Sequence, residues 1–468
     1  MQARNARPIS MIVAGAMLFA GGCTVGPKYQ RPTITAPDAW RVSAGESESI
    51  ANEKWWELFK DPTLQQLIRA ALAHNTDIRI AAAQVVQAQA QIMVVGSAEF
   101  PQVSTNPSAG RERAVDLEGH SSSTSASTFN DFTLPGGVSY AADFWGLYRR
   151  ATEEARDNLL ATEQARRNVI IGVVSSVAQD YFQLRTLDLE LEQTEDSVSA
   201  YRASFNLTQS LFKAGVQSEL DVKQAQTALQ TALAEIPALK QQIGQEEDAL
   251  SVLLGQNTAA IPRGISIEQQ PMPPSVPAGL PSQLLERRPD ILEAEETLAA
   301  SYAAVGVAKA QYFPQLTLTG AGGAESNMLA QIASTPSLIW SVAGGLTQPV
   351  FTGGRLRGNL EAAKAQQQQA LVSYEKTVLI GFQEVNDALI AYQGSKEQLA
   401  AQETLVEAEQ DALHLSNLRY QGGVDTYLNV LTSEESVFTG QITLAQDRDA
   451  VWAALVQLYQ ALGGGWQS

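Results

Sequence analysis

The residue types that most often carry out chemistry are scarce in this chain of 468 residues. Its 3 histidines, His74, His120 and His414, are far apart, and Cys23 is its only cysteine. A zinc site needs several cysteine or histidine ligands at short spacing, and the sequence offers none. It also has no GxSxG or HExxH motif, no phosphate loop and no histidine with plausible partners for a catalytic triad. We therefore predict that the chain is not an enzyme and has no catalytic residues, no cofactor and no zinc site.

The net charge of the chain limits the classes of molecule that it is expected to bind. Its 32 lysine and arginine residues are outnumbered by 50 aspartate and glutamate residues, which gives a formal net charge of -18. Proteins that bind nucleic acid usually present a basic face, so we predict no nucleic-acid partner. The acidic excess is most simply the solvated surface of helices, although a cation site made of carboxylates alone remains open.

The start of the sequence predicts a lipoprotein signal peptide over residues 1–22. Arg4 and Arg7 precede the apolar run Met11–Ala20, and two glycines then lead to Cys23. Ten apolar residues rise only about 15 Å as a helix, too little to span a bilayer, and no later segment has 18 uninterrupted apolar residues. We expect cleavage before Cys23, whose thiol would carry diacylglycerol and whose amino group would carry an acyl chain. The alternative is that Cys23 is a small residue of an ordinary signal peptide.

Two parts of the sequence follow one plan at an offset of 208 residues. Residues 207–222 match residues 415–430, with identical residues at 5 positions. Apolar side chains also recur at every seventh position through 170–212 and again through 378–420. A sustained seven-residue repeat marks one face of a long helix. An ordinary antiparallel coiled coil would show the same stripe, so the pattern alone leaves that alternative open.

Each of these two parts predicts a helical hairpin. The long first helices contain no proline and would extend about 100 Å. A glycine that can act as a left-handed stop follows each of them, and a serine or threonine then stands where it can cap the next helix. These positions are Leu147–Lys213, Gly215 and Ser218 in the first hairpin, and Arg355–Gln421, Gly423 and Thr426 in the second. We expect the returning helices to end near Leu254 and Leu462.

The segments that precede the long helices predict β-structure. Residues 102–146 and 315–354 are rich in glycine, serine and threonine and alternate apolar with polar residues. We predict one β-hairpin in each, with tips near Val115–Ser127 and Glu325–Pro336. Open sheet edges are not tolerated in lipid, and bacterial barrels have at least eight strands, so several chains would have to share one barrel in a membrane. Four aromatic residues could then form membrane-interface belts, or else belong to the core of a soluble meander: Trp145, Tyr148, Trp340 and Phe351.

Four motifs in order resemble the outer membrane factor family of tripartite efflux systems, in its TolC/OprM-like, NodT-type lipoprotein branch. The first is Cys23–Pro32 (CTVGPKYQRP) and the second is Trp55–Leu64 (WWELFKDPTL). The third is Arg288–Ile291 (RPDI) followed by Phe313-Pro314, and the fourth is Leu462–Trp466 (LGGGW). The resemblance covers the chain from Cys23 to its C-terminus.

The resemblance implies a mainly helical fold with membrane β-strands. Three chains would form an α-barrel of long helical hairpins across the periplasm, joined to a shared twelve-stranded outer-membrane β-barrel with four strands from each chain. The implied parts are 23–60 as an acylated extension and girdle segment, 61–254 as the first repeat, 255–281 as a proline-rich connection, 282–462 as the second repeat and 463–468 as a tail. Residues 395–403 would also belong to the girdle or its connections.

The resemblance also implies a function and a location. The protein would be a passive exit duct in the outer membrane of a Gram-negative bacterium, opened by a periplasmic adaptor protein and an inner-membrane transporter. Thr24 agrees with that location, because an aspartate after Cys23 would signal retention in the inner membrane. Two other classes compete: a periplasmic adaptor lipoprotein, which usually has one helical hairpin rather than two, and a lipoprotein enzyme. The exported substrate and the identity of the partners cannot be read from the sequence.

Residues at the tips of the helical hairpins match the family's periplasmic gate, with Gly215 and Gly423 as the tip turns. Leu428 matches a ring of leucines, and Tyr420 and Asp221 match a tyrosine and an aspartate that hold the tips together by hydrogen bonding. Other interpretations are a hairpin core residue for Leu428, the last apolar rung for Tyr420, and a first-turn acid favoured by the helix dipole for Asp221.

One gate position departs from the family. Thr432 stands where relatives often have a pore aspartate. The presence of an acidic pore ring is therefore open, and Asp425, Glu434 and Glu435 are nearby acidic residues.

Overall fold

A computed structural model describes residues 24–41, 55–115, 126–271 and 281–464. The signal peptide, Cys23 and most of the first β-hairpin tip lie outside these residues. The chain divides into two compact units, and each takes segments from both halves of the sequence. Unit 1 is built around Val86–Ala161 and Ala294–Tyr374, and unit 2 around Thr33–Val85, Thr162–Glu293 and the chain from Glu375 onward.

Helices and strands follow one another in the order that the sequence predicts. The helices are α1 (Pro62–His74), α2 (Thr76–Gly96), α3 (Leu147–Lys213), α4 (Glu219–Leu253), α5 (Pro281–Arg287), α6 (Pro289–Ala310), α7 (Arg355–Gln421) and α8 (Tyr427–Ala461). The strands are β1 (Gln102–Thr105), β2 (Ser108–Val115), β3 (Ala126–Ala142), β4 (Gln315–Ser326) and β5 (Leu338–Thr347).

The two helical hairpins repeat each other closely. Adding 208 to each bound of α3 and α4 gives the bounds of α7 and α8. Both long helices have the predicted limits, since no proline interrupts them and a glycine follows each. Every side chain of the predicted seven-residue stripes is buried or half-buried except Phe212. The stripes therefore form the packed faces of the helices.

Both long helices end in the same hydrogen-bonded turn. Gly215 has φ +76° and Gly423 has φ +68°, conformations that glycine adopts without steric cost. In the first turn, the Gly215 amide donates to the Phe212 carbonyl at 2.9 Å and the Val216 amide donates to the Leu211 carbonyl at 2.9 Å. This is a Schellman motif, and the second turn has the matching pair of bonds. The predicted glycine stops are thus confirmed.

An aromatic cluster forms part of the core of unit 2. The ring of Trp55 stacks on that of Tyr459 at 5.1 Å, and Phe182 stacks on Trp452 at the same distance. Phe59 contacts these rings edge-on. Because large aromatic surfaces contribute strongly to burial energy, this cluster fixes the segment that precedes α1 against α3 and α8.

The buried carboxylate of Asp61 ties several segments of unit 2 together. It accepts hydrogen bonds from the Tyr181 hydroxyl at 2.7 Å, the Thr63 amide at 2.8 Å, the Ile265 amide at 3.1 Å and the Gln270 side chain at 2.8 Å. A charge this deeply buried persists only when such donors surround it. The motif around Asp61 therefore anchors the proline-rich connection, which is not helical over 256–271.

The strands of unit 1 form one antiparallel sheet in the order β1-β3-β4-β5, with β2 also paired to β3. β1 and β2 follow the same edge of β3 and are separated by Asn106 and Pro107, where proline lacks the amide that a ladder requires. The sheet thus has four strand paths. Both predicted β-hairpins are present.

The two faces of this sheet differ sharply in polarity. Side chains alternate between faces along a strand, and directly paired residues share a face. We call one the apolar face, with Val103, Phe132, Leu134, Val138, Tyr140, Leu316, Leu318, Leu338, Trp340, Val342 and Leu346. We call the other the polar face, with Gln102, Ser104, Asp131, Thr133, Ser139, Thr317, Thr319, Glu325, Ser341 and Thr347.

One expectation needs correction, and two other features of the sequence gain structural detail. Residues 395–403 are not a connection, because α7 runs through them without interruption. Trp145 is half-buried and stacks on Phe313 at 4.7 Å, whereas Trp340 and Phe351 are exposed, and the aromatic belt stays a prediction. The stretch Pro62–Glu99 is long and apolar enough to cross a membrane by length and composition, although a buried core helix passes the same test.

The candidate stretch Pro62–Glu99 is not one continuous helix. The side-chain oxygen of Asn75 accepts the Asp77 and Ile78 amides at 2.8 and 3.1 Å, which starts a new helix after α1. The exposed apolar side chains of α2, including Met93 and Val94, lie beyond this break. Such a face suits contact with a neighbouring helix.

Candidate functional site

The predicted gate residues lie on the two turns that join α3 to α4 and α7 to α8, all within unit 2. A cluster of buried side chains packs these four helices beside the turns. It contains Val198, Tyr201, Ala225, Leu229, Tyr427, Val430 and Leu431, with Tyr420 and Phe205 at its edge. The two turns are therefore held on a common apolar core.

Asp221 closes the start of α4. Its amide donates to the Ser218 hydroxyl oxygen at 3.3 Å, and its carboxylate accepts the Ser218 amide at 3.2 Å and the Ser218 hydroxyl at 2.8 Å. This is a capping box, with the negative charge at the positive end of the helix. The first-turn role that the sequence left open is thus the one that this chain displays, and Ser218 caps as predicted.

Tyr420, at the end of α7, is hydrogen-bonded to the first turn of the same chain. The side-chain amide of Gln217 donates to the Tyr420 hydroxyl oxygen at 2.6 Å. Burial raises the pKa of Tyr420, and the nearby Asp221 charge raises it further. Within the chain, Tyr420 thus binds Gln217 while the Asp221 carboxylate binds the cap residue Ser218, and the role of Tyr420 and Asp221 in holding the tips of the assembly together stays a prediction.

Gln217 was missed by sequence reasoning, although the repeat contains a signal for it. At the offset of 208, Gln217 corresponds to Asp425, which is a candidate residue of the second turn. The two positions therefore carry polar residues at the same point of each turn. The repeat could have marked Gln217 as a candidate, but its partner depends on how the four helices pack.

Asp425 forms a compact network within the second turn. Its carboxylate accepts the Arg419 guanidinium at 3.0 Å and the Thr426 amide at 2.9 Å, and it also accepts the Asn429 side chain. The bonds from Thr426, Arg419 and Asn429 lower the pKa of Asp425 below its usual value. The carboxylate is thus ionised near neutral pH and is engaged with its own turn.

Thr426 does not cap α8 as predicted, and Thr432 forms its hydrogen bond within its own helix. Thr426 occupies the N-cap position, but its side chain makes no capping bond, and its amide donates to the Asp425 carboxylate. The Thr432 hydroxyl donates to the Leu428 carbonyl one turn earlier, at 2.9 Å. Thr432 is exposed, and its bond lies within α8.

Leu428 is an exposed apolar residue rather than a core residue. Its side chain is 49% exposed, whereas that of its neighbour Tyr427 is 3% exposed and packs into the apolar cluster. The interpretation of Leu428 as part of the hairpin core is therefore wrong. Its large apolar surface is available to other parts of an assembly.

Glu434 is a half-buried acid inside the same helix packing. Its carboxylate accepts the Ser204 hydroxyl at 2.9 Å. Burial is the main cause that raises its pKa, with a further contribution from Glu435. Within the described ranges of the chain, no group of three or more histidine, cysteine, aspartate or glutamate side chains is arranged to hold a metal ion.

Comparisons with known proteins agree on one family. The model of the family described as "Outer membrane efflux protein" matches residues 67–256 and 280–464. The chain is 36% identical over 466 residues to the probable efflux pump outer membrane protein TtgC of Pseudomonas putida KT2440, which covers 98% of this chain and 95% of TtgC. It is 31% identical over 463 residues to the cation efflux system protein CusC of Escherichia coli K12. That alignment covers 98% of this chain and 100% of CusC.

The fold of a solved channel agrees as well. The structure of the outer-membrane channel OprN matches with a TM-score of 0.88 at 31% identity, over 95% of this chain and 100% of OprN. No adaptor protein is among these matches, so the adaptor alternative has no support.

Proposed function

The chain belongs to the outer membrane efflux protein family, and on that premise we propose that three copies form a passive, gated exit duct. It is an efflux component of the outer membrane, as its relatives are. The single observation that carries the trimeric duct is the sheet of unit 1, which has an apolar and a polar face and two open edges.

The faces of the sheet fit the wall of a membrane barrel. In such barrels apolar residues face lipid and polar residues face the lumen, alternating along each strand. The apolar face carries Val103, Val138 and Trp340, and the polar face carries Ser139 and Thr319. A soluble sheet would bury its apolar face, but Trp340 is 82% exposed and Val103 is 81% exposed.

The open edges require further copies. Among the described strands, β5 pairs only with β4, and β1 and β2 pair only with β3. Unpaired edges are costly in lipid, and closed barrels remove them. Three copies of a four-path sheet would close a twelve-stranded barrel, a size within the known range.

The duct is proposed to close at the turns of the helical hairpins. Leu428 is exposed in the single chain, so three copies around an axis would present an apolar ring. Rings of this kind gate by excluding water. Tyr420 and Gln217 would hold the two turns of each chain together, and an adaptor with an inner-membrane transporter would separate the turns.

Acylation at Cys23, which lies outside the described residues, fits the path of the chain that follows it. The Val25 amide donates to the Trp145 carbonyl at 3.0 Å, and Trp145 stands between β3 and α3. Tyr29 and Arg31 then bind the carboxylate of Glu295 at 3.0 and 2.8 Å. The acyl chains would therefore start beside the end of the sheet, where a barrel meets the membrane surface.

The duct itself has no enzymatic chemistry and does not choose the cargo. The curated relatives differ in cargo by name: CusC belongs to a cation efflux system, and TtgC of another Pseudomonas putida strain to a toluene efflux pump. A water-filled passage offers few contacts for selection. The inner-membrane transporter would therefore set the substrate.

Labelling of adjacent residues tests the proposal. Val138→Cys and Ser139→Cys place a thiol on opposite faces of the same strand. In outer membranes, a charged maleimide reagent should label the variant at 139 and leave the variant at 138 unlabelled, because lipid covers the apolar face. Equal labelling at both positions would contradict a lipid-facing barrel wall, and unfolding in detergent should expose both thiols as a control.

A further inference from the structure

Two arginines extend the apolar face of the sheet beyond its last apolar residues. Arg111 pairs with Asn130, and Arg113 pairs with Thr128, so both lie on the same face as Phe132. The next paired positions toward the helices are Ala109 and Phe132. The apolar face therefore changes from aromatic and aliphatic side chains to basic and polar ones within a single step of the ladder.

The position along the strands at which the apolar face becomes basic matches the edge of the apolar layer of a membrane. From Ala142 to Phe132 the strand advances ten residues, or about 33 Å at the usual rise. With the strand tilt of about 40° found in membrane barrels, this corresponds to roughly 25 Å along the membrane normal, the height of the apolar band. Arg111 and Arg113 would then lie about 5 and 10 Å beyond that band, in the layer of lipid headgroups.

The charge of this patch is of one sign. Arg111 and Arg113 are exposed, and Glu112 between them points to the polar face, opposite Phe129. Asp131 of β3 is on the polar face as well. In the part of the chain that the structure describes, neither arginine has an ion-pair partner among the salt bridges of unit 1.

Arginine at this position suits one kind of ligand. Its guanidinium group presents several donors in a planar fork that matches phosphate oxygens, and the contact is charge-assisted. The Cα atoms of the two arginines lie about 7 Å apart on one face. The two side chains can therefore bind one phosphate together, or two phosphates of one headgroup. A free anion in water would be screened by salt, whereas a headgroup is held in place by its acyl chains.

We infer that Arg111 and Arg113 form a binding site for the phosphate groups of a phosphorylated glycolipid in the leaflet at the β-hairpin tips. The inference rests on the proposed barrel and adds a lipid-specific contact to its outer rim. Its consequence is that the trimer retains such a lipid and is stabilised by it, while conduction through the duct is unaffected.

Lipid retention by the purified trimer tests this inference. The full-length protein is reconstituted in phosphatidylcholine nanodiscs that contain diphosphorylated lipid A, extracted into mild detergent and weighed by native mass spectrometry. Arg111→Gln/Arg113→Gln should lower the retained lipid A by about tenfold or more. Glu112→Gln, in the same strand but on the polar face, should retain as much as the unaltered protein.

Two further arms distinguish the source of the phosphate and the role of the barrel. Lipid A stripped of its phosphates should be retained poorly by the unaltered protein, and excess inorganic phosphate should displace little of the intact lipid. Arg111→Lys/Arg113→Lys should retain an intermediate amount, because it keeps the charge and loses the fork. Equal retention of lipid A by the glutamine variant, or equal retention of the stripped lipid by the unaltered protein, would overturn the site. If the variant still has the mass of a trimer and an unchanged conductance, the proposed duct is not affected by that result.

Discussion

The hydroxyl oxygen of Tyr420 lies 2.6 Å from the side-chain nitrogen of Gln217, which donates a hydrogen bond to it. The bond joins the end of α7 to the turn between α3 and α4. It links the first turn to the end of the second long helix, while Asp221 and Asp425 bind within their own turns. The two turns of a chain are therefore joined by a neutral pair, which forms the latch between them, while the Glu434 carboxylate links the hairpins further along the helices.

Breaking this latch should loosen the closed tip. We expect Tyr420→Phe and Gln217→Ala each to raise the closed-state conductance in planar bilayers, and the double variant to add little to either. A hydrogen bond of this kind contributes about 1 kcal/mol, and a double-mutant cycle measures the coupling. Tyr392→Phe, four rungs earlier on the same stripe, is the matched control. Fully additive effects would mean that Tyr420 and Gln217 do not act together.

Leu428 should control the width of the closed passage. Leu428→Gly removes the exposed apolar side chain and should raise the closed-state conductance. Leu220 is the matching residue of the first hairpin at the offset of 208 and is also exposed. Leu220→Gly carries the same helix penalty of about 1 kcal/mol and should leave conductance near its original value. If both variants conduct alike, Leu428 has no special place at the constriction.

The protonation of Glu246 should make stability depend on pH. Burial, followed by the charges of Asp180 and Asp449, raises the pKa of Glu246 to about 7. Between the usual value near 4.5 and this raised value, the folded state holds more protons than the unfolded state, so stability falls as pH rises. We expect Glu246→Gln to raise the Tm at pH 8 and to have little effect at pH 4. Asp248→Asn, an exposed change nearby, is the control, and a Tm difference that is the same at both pH values would contradict this assignment.

Cys23 should be needed for acylation and not for insertion. In cells given labelled palmitate, Cys23→Ala should lose all label, because Cys23 is the only cysteine in the chain. The variant should still reach the outer membrane, since a closed barrel is its own anchor. Thr24→Ala, one residue later, should keep the label. Palmitate in the alanine variant at 23 would refute the lipoprotein assignment.

The sequence predicted those parts of the fold that depend on local features. The limits of α3 and α7 followed from the lack of proline and the glycine stops, and the packed faces followed from a seven-residue repeat. The capping of α4 by Ser218 also needs only four neighbouring residues. In each case the physical cause lies within a few residues of the feature.

The features that the sequence did not predict depend mostly on contacts between residues far apart in the chain. The bond from Gln217 to Tyr420 spans 203 positions, and the stacking of Trp145 on Phe313 joins the two halves of unit 1. Thr426 makes no capping bond, while the neighbouring Asp425 accepts the Thr426 amide and the Asn429 side chain. Partner choice within the site thus required the packed helices.

Native mass spectrometry of the protein extracted from outer membranes tests most directly whether three acylated chains share one barrel. The measurement reads the number of chains and the mass of each N-terminus together. We predict a complex of three chains, each starting at Cys23 and carrying added acyl mass. A monomer without lipid would contradict the account, because the open edges of the sheet would then have no second copy to close them.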